Sequence, residues 1–356
     1  MSVIKMAPQQ SHHFSALDGL RGLAALSVVI YHLNGYGHGY LAVDFFFILS
    51  GFVIAFSYEK KLVAGSMNFI SFLQRRLIRL YPLVFISMLL GSLGYYIISF
   101  YQPDKIAFQG ECINTAILGF LLIPVLYQVH IGELNNLYPF NGPLWSLFFE
   151  LFFNAAYALT VRYLTLRILI ILFCISASAL ICPIIKHHGL EFGFNPKDFG
   201  WGFFRAATPL TLGVIIFRLD QNKLLPTFSC PVYVLGLALS LILVTPALGN
   251  RVDIIFGPLC SLVLFPIIVM ACINVKPIGR TLKLCRLSGD LSYPLYVLHR
   301  PVVRIFMHTA TTDAVTIRPW YYTSIAVILC VLSSYIALKI YDEPLRKFLS
   351  RQLIAQ

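Results

Sequence analysis

Long apolar runs, broken by short polar or basic stretches, occupy most of the chain between Leu17 and Tyr341. A helix that crosses a bilayer needs about 20 mainly apolar residues. Ten segments fit that pattern: 17–33, 41–57, 81–101, 143–161, 167–185, 202–219, 231–247, 253–274, 290–309 and 320–341. They predict an all-α integral membrane protein, a bundle of about ten transmembrane helices. An eleventh apolar stretch, 113–129, contains Pro124 and runs into the polar sequence that begins at Gln128. The segment 67–80 is amphipathic at helical period. It is expected to lie on the inner membrane surface, with Arg75, Arg76 and Arg79 toward headgroups or cytosol. Arg21 followed by an apolar run has the outline of a signal peptide. No small-residue cleavage site follows it, so 17–33 is expected to be retained as the first helix.

Composition excludes some classes of protein. Of 356 residues, 58% are hydrophobic and 12% charged, about half the usual charged share of a soluble domain. That rules out an ordinary cytosolic enzyme and also a disordered chain, which needs high charge and low hydrophobicity. The net charge is +12, which could signal nucleic acid or basic loops on the inner side of a membrane. The positions of the cations decide between them. With 113–129 kept from crossing and the N-terminus inside, 19 Lys and Arg fall on inner loops and ends and 5 on outer loops. Letting 113–129 cross would put the 276–286 and C-terminal clusters outside, against the cation rule. The distribution therefore predicts ten spans with both termini cytoplasmic and gives no support to a nucleic-acid partner. The chain reads as one membrane domain, 1–356: a cytoplasmic tail 1–16, a core 17–341 with an outer excursion 102–142, and a cytoplasmic tail 342–356. Eight scattered cysteines show no metal-ligand spacing, so no metal site is expected.

Ionisable groups inside apolar spans are costly and are functional candidates by default. Arg21 and His32 stand 11 residues apart on the first helix. That is three turns plus about 20°, so both lie on one face, about 16 Å apart along the axis. Asp44 opens the second helix near the same end as His32. A carboxylate beside an imidazole can fix its tautomer and stabilise the imidazolium, or simply lock two helices together. Glu150 lies about 10 Å into the fourth span and must face the bundle interior. It is either a site residue or the structural partner of Arg205 or another buried cation. In the ninth span Tyr293 is a candidate site-lining residue, while His299 reads as a satisfied packing histidine.

Five segments in order carry a family resemblance: LDGLRGLAALSVVIYHL (17–33), VDFFFILSGFVI (43–54), RRLIRLYP (75–82), GPLWSLFFELFF (142–153) and LSYPLYVLHRP (291–301). Together they resemble the acyltransferase family 3 membrane proteins, which move acyl groups, commonly acetyl, from cytosolic acyl-CoA to carbohydrates handled at or beyond the membrane. The resemblance implies a ten-helix core, a multi-pass protein of the cell membrane (the inner membrane in bacteria), and a carbohydrate acceptor. Acyl-CoA, most simply acetyl-CoA, would act as co-substrate, with no permanently bound cofactor. It also implies that His32 is the catalytic residue, paired in the motif with Arg21, that Arg76 and Arg79 bind the donor, and that Glu150 is the family's carboxylate after Trp-Ser-Leu.

Physical chemistry fits these roles. The phosphates of coenzyme A cannot enter lipid, but Arg75, Arg76 and Arg79 at an inner mouth could hold them with guanidinium forks. The long neutral arm would then pass Arg21 toward His32. Acyl transfer needs a base for the acceptor hydroxyl and donors for the oxyanion. His32 is expected to be that base or a nucleophile, with Asp44 orienting it and Tyr293 or Arg21 helping with charge. The competing class is a multi-span transporter or flippase for a glycan or lipid-linked carrier. Paired broken helices in two related halves would favour it, and the sequence has no such symmetry. Acceptor choice is expected to lie in the outer loops 102–142 and 186–201, where Asp104, Glu111, Glu133, His187, His188 and Asp198 are candidates.

Overall fold

A computed structural model describes residues 14–101, 109–129, 135–226, 230–310 and 320–353. Among the described residues the regular structure is entirely helical. The candidates Asp104 and Glu133, the cations Lys5, Lys105 and Arg318, and most of the tail 1–16 lie outside the described residues.

Helix α1, Ser15–Asn34, stops at Gly35, whose φ of 62° lets its N–H reach back to Tyr31 O at 2.7 Å. This is the left-handed cap that glycine adopts without a Cβ penalty. A short 3-10 turn, Gly39–Leu41, then leads into α2, Ala42–Val63. The chain continues through α3 (Phe69–Tyr101), α4 (Gln109–Phe120), α5 (Leu144–Thr160), α6 (Leu166–Ala179) and α7 (Ile181–His187). Helices α8 (Phe199–Gln221), α9 (Val232–Val244), α10 (Asn250–Leu259) and α11 (Phe265–Ile273) follow. The last three are α12 (Gly279–Ala310), α13 (Trp320–Ile336) and α14 (Glu343–Leu353).

Among the described residues, seven helical stretches are long and apolar enough to cross a bilayer, and α5 and α9 are shorter apolar helices. Large apolar side chains cover the outside: Ile171, Ile175, Leu237 and Ile328 are each more than half exposed. An apolar surface on this scale needs lipid rather than water. The protein is a multi-pass membrane protein.

Two expectations need correction or refinement. The basic stretch 67–80 does not lie apart on the surface. It is continuous with the following span in α3, which runs through Pro82. At 1.5 Å per residue its 33 residues reach about 50 Å, well beyond a hydrocarbon core of about 30 Å. A proline within a membrane helix is tolerated where neighbours satisfy the freed carbonyl, so the chain need not break there. By contrast only 113–120 of the stretch 113–129 is helical, as part of α4, whose 12 residues reach about 18 Å, too short to cross. Its tail folds back, with Val125 N–H donating to Leu137 O at 2.9 Å and Leu137 N–H to Phe194 O at 2.8 Å.

Two helix pairs organise the interior, α1 with α12 and α2 with α8. Both approach at glycine. A Cβ on Gly51 would stand 2.0 Å from Leu210 O, and one on Gly22 would stand 1.9 Å from Ser288 Oγ. Small residues allow this backbone approach, and packing of this kind, rather than hydrophobicity, holds helices together in lipid.

Candidate active site

Helices α1, α2, α3, α5 and α12 enclose a cavity of about 100 Å³. It opens at the basic end of the bundle, where α3 begins. Arg21, Arg76, Arg79, Glu150 and Tyr293 all line it, together with Ser50, Ser146 and Tyr296. Five of the eight residues singled out in the sequence thus converge on one space.

Glu150 anchors the cavity. Its Oε1 accepts from Arg76 Nη2 at 2.7 Å and from Ser50 Oγ at 2.8 Å. Its cation is therefore Arg76, not Arg205. Arg76 is 6% exposed, so it faces the interior and not the headgroups, whereas Arg79 is exposed. A carboxylate on α5 explains the inward turn: a buried guanidinium persists only with a paired charge and satisfied hydrogens. Arg21 keeps Asp18 at 3.5 Å on its own helix. Tyr293 donates to Leu80 O at 2.6 Å, which fixes its ring against α3. Arg75 points elsewhere. With Arg79 it borders a separate groove against α14.

At the far end of the cavity the hydroxyls of Tyr296 and Ser146 meet at 2.6 Å. One turn beyond Tyr296 stands His299, fully buried, with His32 next to it: His299 Nε2 lies 3.3 Å from His32 Nδ1. Hydrogen-bond chemistry assigns the tautomers. His299 Nδ1 faces two carbonyl oxygens, of Tyr296 at 2.8 Å and Leu295 at 3.1 Å. Carbonyls only accept, so Nδ1 carries the proton and Nε2 the lone pair. His32 Nδ1 faces Val28 O at 2.9 Å as well as His299 Nε2. It must therefore be the protonated nitrogen, which leaves His32 Nε2 as an acceptor.

Asp44 does not serve His32. Its Oδ2 accepts from Arg205 Nη2 at 3.2 Å, and both side chains are at most 2% exposed. Arg205 also donates to Phe192 O at 2.6 Å and lies over the Trp145 ring, 5.0 Å from its centroid. A permanent guanidinium in the bundle needs a counter-charge more than a neutral imidazole does, and α8 packs directly against the face of α2 that carries Asp44. The His–Asp pair expected at this end of the hairpin is replaced by an Asp–Arg pair and a His–His pair. Of the loop candidates, Asp198 is tied to His187 at 3.3 Å.

The family described as an acyltransferase domain matches residues 14–339. The chain belongs to the acyltransferase 3 family. It is 34% identical over 187 residues to protein 2 of the picA locus of Rhizobium radiobacter, covering 49% of this chain and 96% of that protein. It is 28% identical to a protein named as a candidate membrane-bound transacylase, BcsY, of Komagataeibacter xylinus, over 80% of this chain and 72% of the relative. It is 24% identical to the O-acetyltransferase OatA of Staphylococcus aureus over 94% of this chain, and spans 57% of that relative's length. No solved structure matches. Membership of the acyltransferase 3 family makes the chain an acyltransferase.

Within this family member, sequence reasoning missed the partnership of His299 with His32 and of Tyr296 with Ser146. A signal for the first existed: Ser292, Tyr296 and His299 recur at helical spacing on α12 and share one face of it.

Proposed function

We propose that this protein transfers an acyl group, most simply acetyl, from cytosolic acyl-CoA to a hydroxyl of a carbohydrate acceptor such as an exported or cell-surface polysaccharide. Ten helices would cross the cytoplasmic membrane, with both termini inside and the outer excursion 102–142 beside the acceptor. The observation that supports this most is one cavity lined by Arg21, Arg76, Arg79 and Tyr296, with the ring of His299 next to Tyr296 and His32 next to His299, both histidines just outside that lining. The narrow cavity favours the neutral arm of a thioester and a short acyl group over anything bulky.

In this reading His32 Nε2 takes the proton from the acceptor hydroxyl as its oxygen attacks the thioester carbonyl. The carbon–sulfur bond then breaks, and the thiolate leaves with the proton returned by the imidazolium. The oxyanion formed on the way draws on the cationic and hydroxyl groups of the cavity, with Arg21 and Tyr293 the candidates. His299 holds His32 in the tautomer this step needs. Transfer to an oxygen acceptor is supported by the relative named as an O-acetyltransferase, and the carbohydrate class by the family resemblance of the five sequence segments.

The direct test is transfer of label from acyl-CoA to surface or secreted carbohydrate in cells that carry the wild type or a His32 variant. Two further outcomes are expected. His299→Gln keeps an acceptor oxygen where Nε2 stood and retains most activity. His299→Phe removes it and lowers kcat on the order of 10²-fold, less than the roughly 10⁴-fold that a wrong tautomer costs a serine protease. Equal activity of the two would overturn the positioning role. Reporter fusions after residues 130 and 225 are expected outside and inside, respectively. An inside result at 130 would make 113–129 a crossing segment.

A further inference from the structure

The cavity is too small to take a nucleotide, yet the donor proposed above carries one. Beside its mouth is a second hollow of about 500 Å³, between the C-terminal helix α14, the start of α3 and the end of α2. Arg79 belongs to the walls of both, so the two spaces adjoin. Five cations border the groove: Arg75 and Arg79 from α3, and Arg346, Lys347 and Arg351 from α14. The single acid on its wall, Glu343, is already held by Lys339 one turn away, and behind the wall the buried Asp342 pairs with Arg346 at 2.7 Å, so the five cations still exceed the acids around the hollow. The Nε–H groups of Arg75 and Arg346 are shielded from solvent and have no acceptor among the described residues. Inner-face charge asymmetry accounts for basic residues in these segments. It does not account for cations from two helices far apart in sequence meeting around one hollow.

We infer that this groove is the binding site for the phosphate-bearing nucleotide of the acyl donor, and that the C-terminal helix supplies half of it. The inference rests on the donor being an acyl-CoA. Coenzyme A carries a diphosphate and a ribose phosphate at one end and a long neutral arm at the other. Guanidinium forks match phosphate oxygens two at a time, and a lysine adds a mobile point charge. With the nucleotide in the groove, the arm enters past Arg79 and the thioester reaches the cavity lined by Glu150, Tyr293 and Tyr296. The nucleotide stays in the aqueous region while the reacting end lies within the bundle.

The test uses the full-length protein in vesicles of neutral lipid, with Lys347→Ala plus Arg351→Ala on the exposed side of α14. Two donors are compared, acetyl-CoA and S-acetyl-pantetheine, which has no phosphates. The KM for acetyl-CoA is expected to rise roughly tenfold or more, as the loss of charge-assisted hydrogen bonds implies. The effect should shrink at high salt, and the KM for S-acetyl-pantetheine should not change. An unchanged KM for acetyl-CoA would overturn the assignment. So would an equal rise for both donors, which would show a structural effect, or a defect seen only when anionic lipid is added, which would assign the groove to lipid phosphate. A wild type that takes no acetyl from either donor would instead overturn the donor reading itself, and the groove assignment with it.

Discussion

Replacing His32 with alanine is expected to lower acyl transfer by about 10²–10⁴-fold, the usual contribution of a general base, while the protein still inserts and accumulates. The structural cost should be small. His32 is only partly buried, and the contacts alanine removes include a hydrogen bond to Val28 O on its own helix, the edge contact with the Tyr31 ring and the contact with His299. His299 keeps its two carbonyl partners without it. Activity should therefore fall without a matching loss of stability. The measurement is initial rate against the amount of folded protein in the membrane. A variant that is inserted, folded and fully active would end any role for His32 as base or nucleophile.

The residues of the site were more legible in the sequence than their partners. Arg21, Arg76, Arg79, Glu150 and Tyr293 stood out because charge or a hydroxyl inside an apolar run has few innocent explanations, and the cavity gathers all five. The Arg21–His32 phase on one helix could be computed because both lie on the same rod. Contacts between helices far apart in sequence could not. Whether Asp44 meets His32 or Arg205 depends on α8 packing against α2, a choice made at Gly51 and Gly213 some 160 residues apart. His299 looked like a packing histidine because its ring does bond backbone carbonyls. That same bonding turns its other nitrogen toward His32. The separation expected between the surface stretch 67–80 and the span 81–101 does not occur, and α3 runs through Pro82 because proline is a weaker stop in a membrane helix than in a soluble one.

Asp44→Ala should be the most destabilising single change in the bundle, by about 3–5 kcal/mol, because it strands the buried guanidinium of Arg205 without a counter-charge. Arg205 would keep its bond to Phe192 O and its stacking on Trp145, but a carbonyl and a ring do not offset a full charge at 2% exposure. The variant is expected to accumulate poorly and to unfold at lower temperature in detergent. Activity alone cannot separate this from a catalytic role, since a poorly folded protein is also inactive. The double variant Asp44→Leu plus Arg205→Met makes the separation. Buried ion pairs can be replaced by apolar residues of similar volume at little cost or with a gain, so the pair of changes should restore both folding and acyl transfer. If Asp44 acted on His32, the double variant would fold and remain inactive. Full recovery would place the His32–His299 pair, not the carboxylate of α2, at the centre of the chemistry. The Asp44–Arg205 bridge would then serve to join α2 to α8, holding the wall of the cavity that carries Ser50 in register with Glu150.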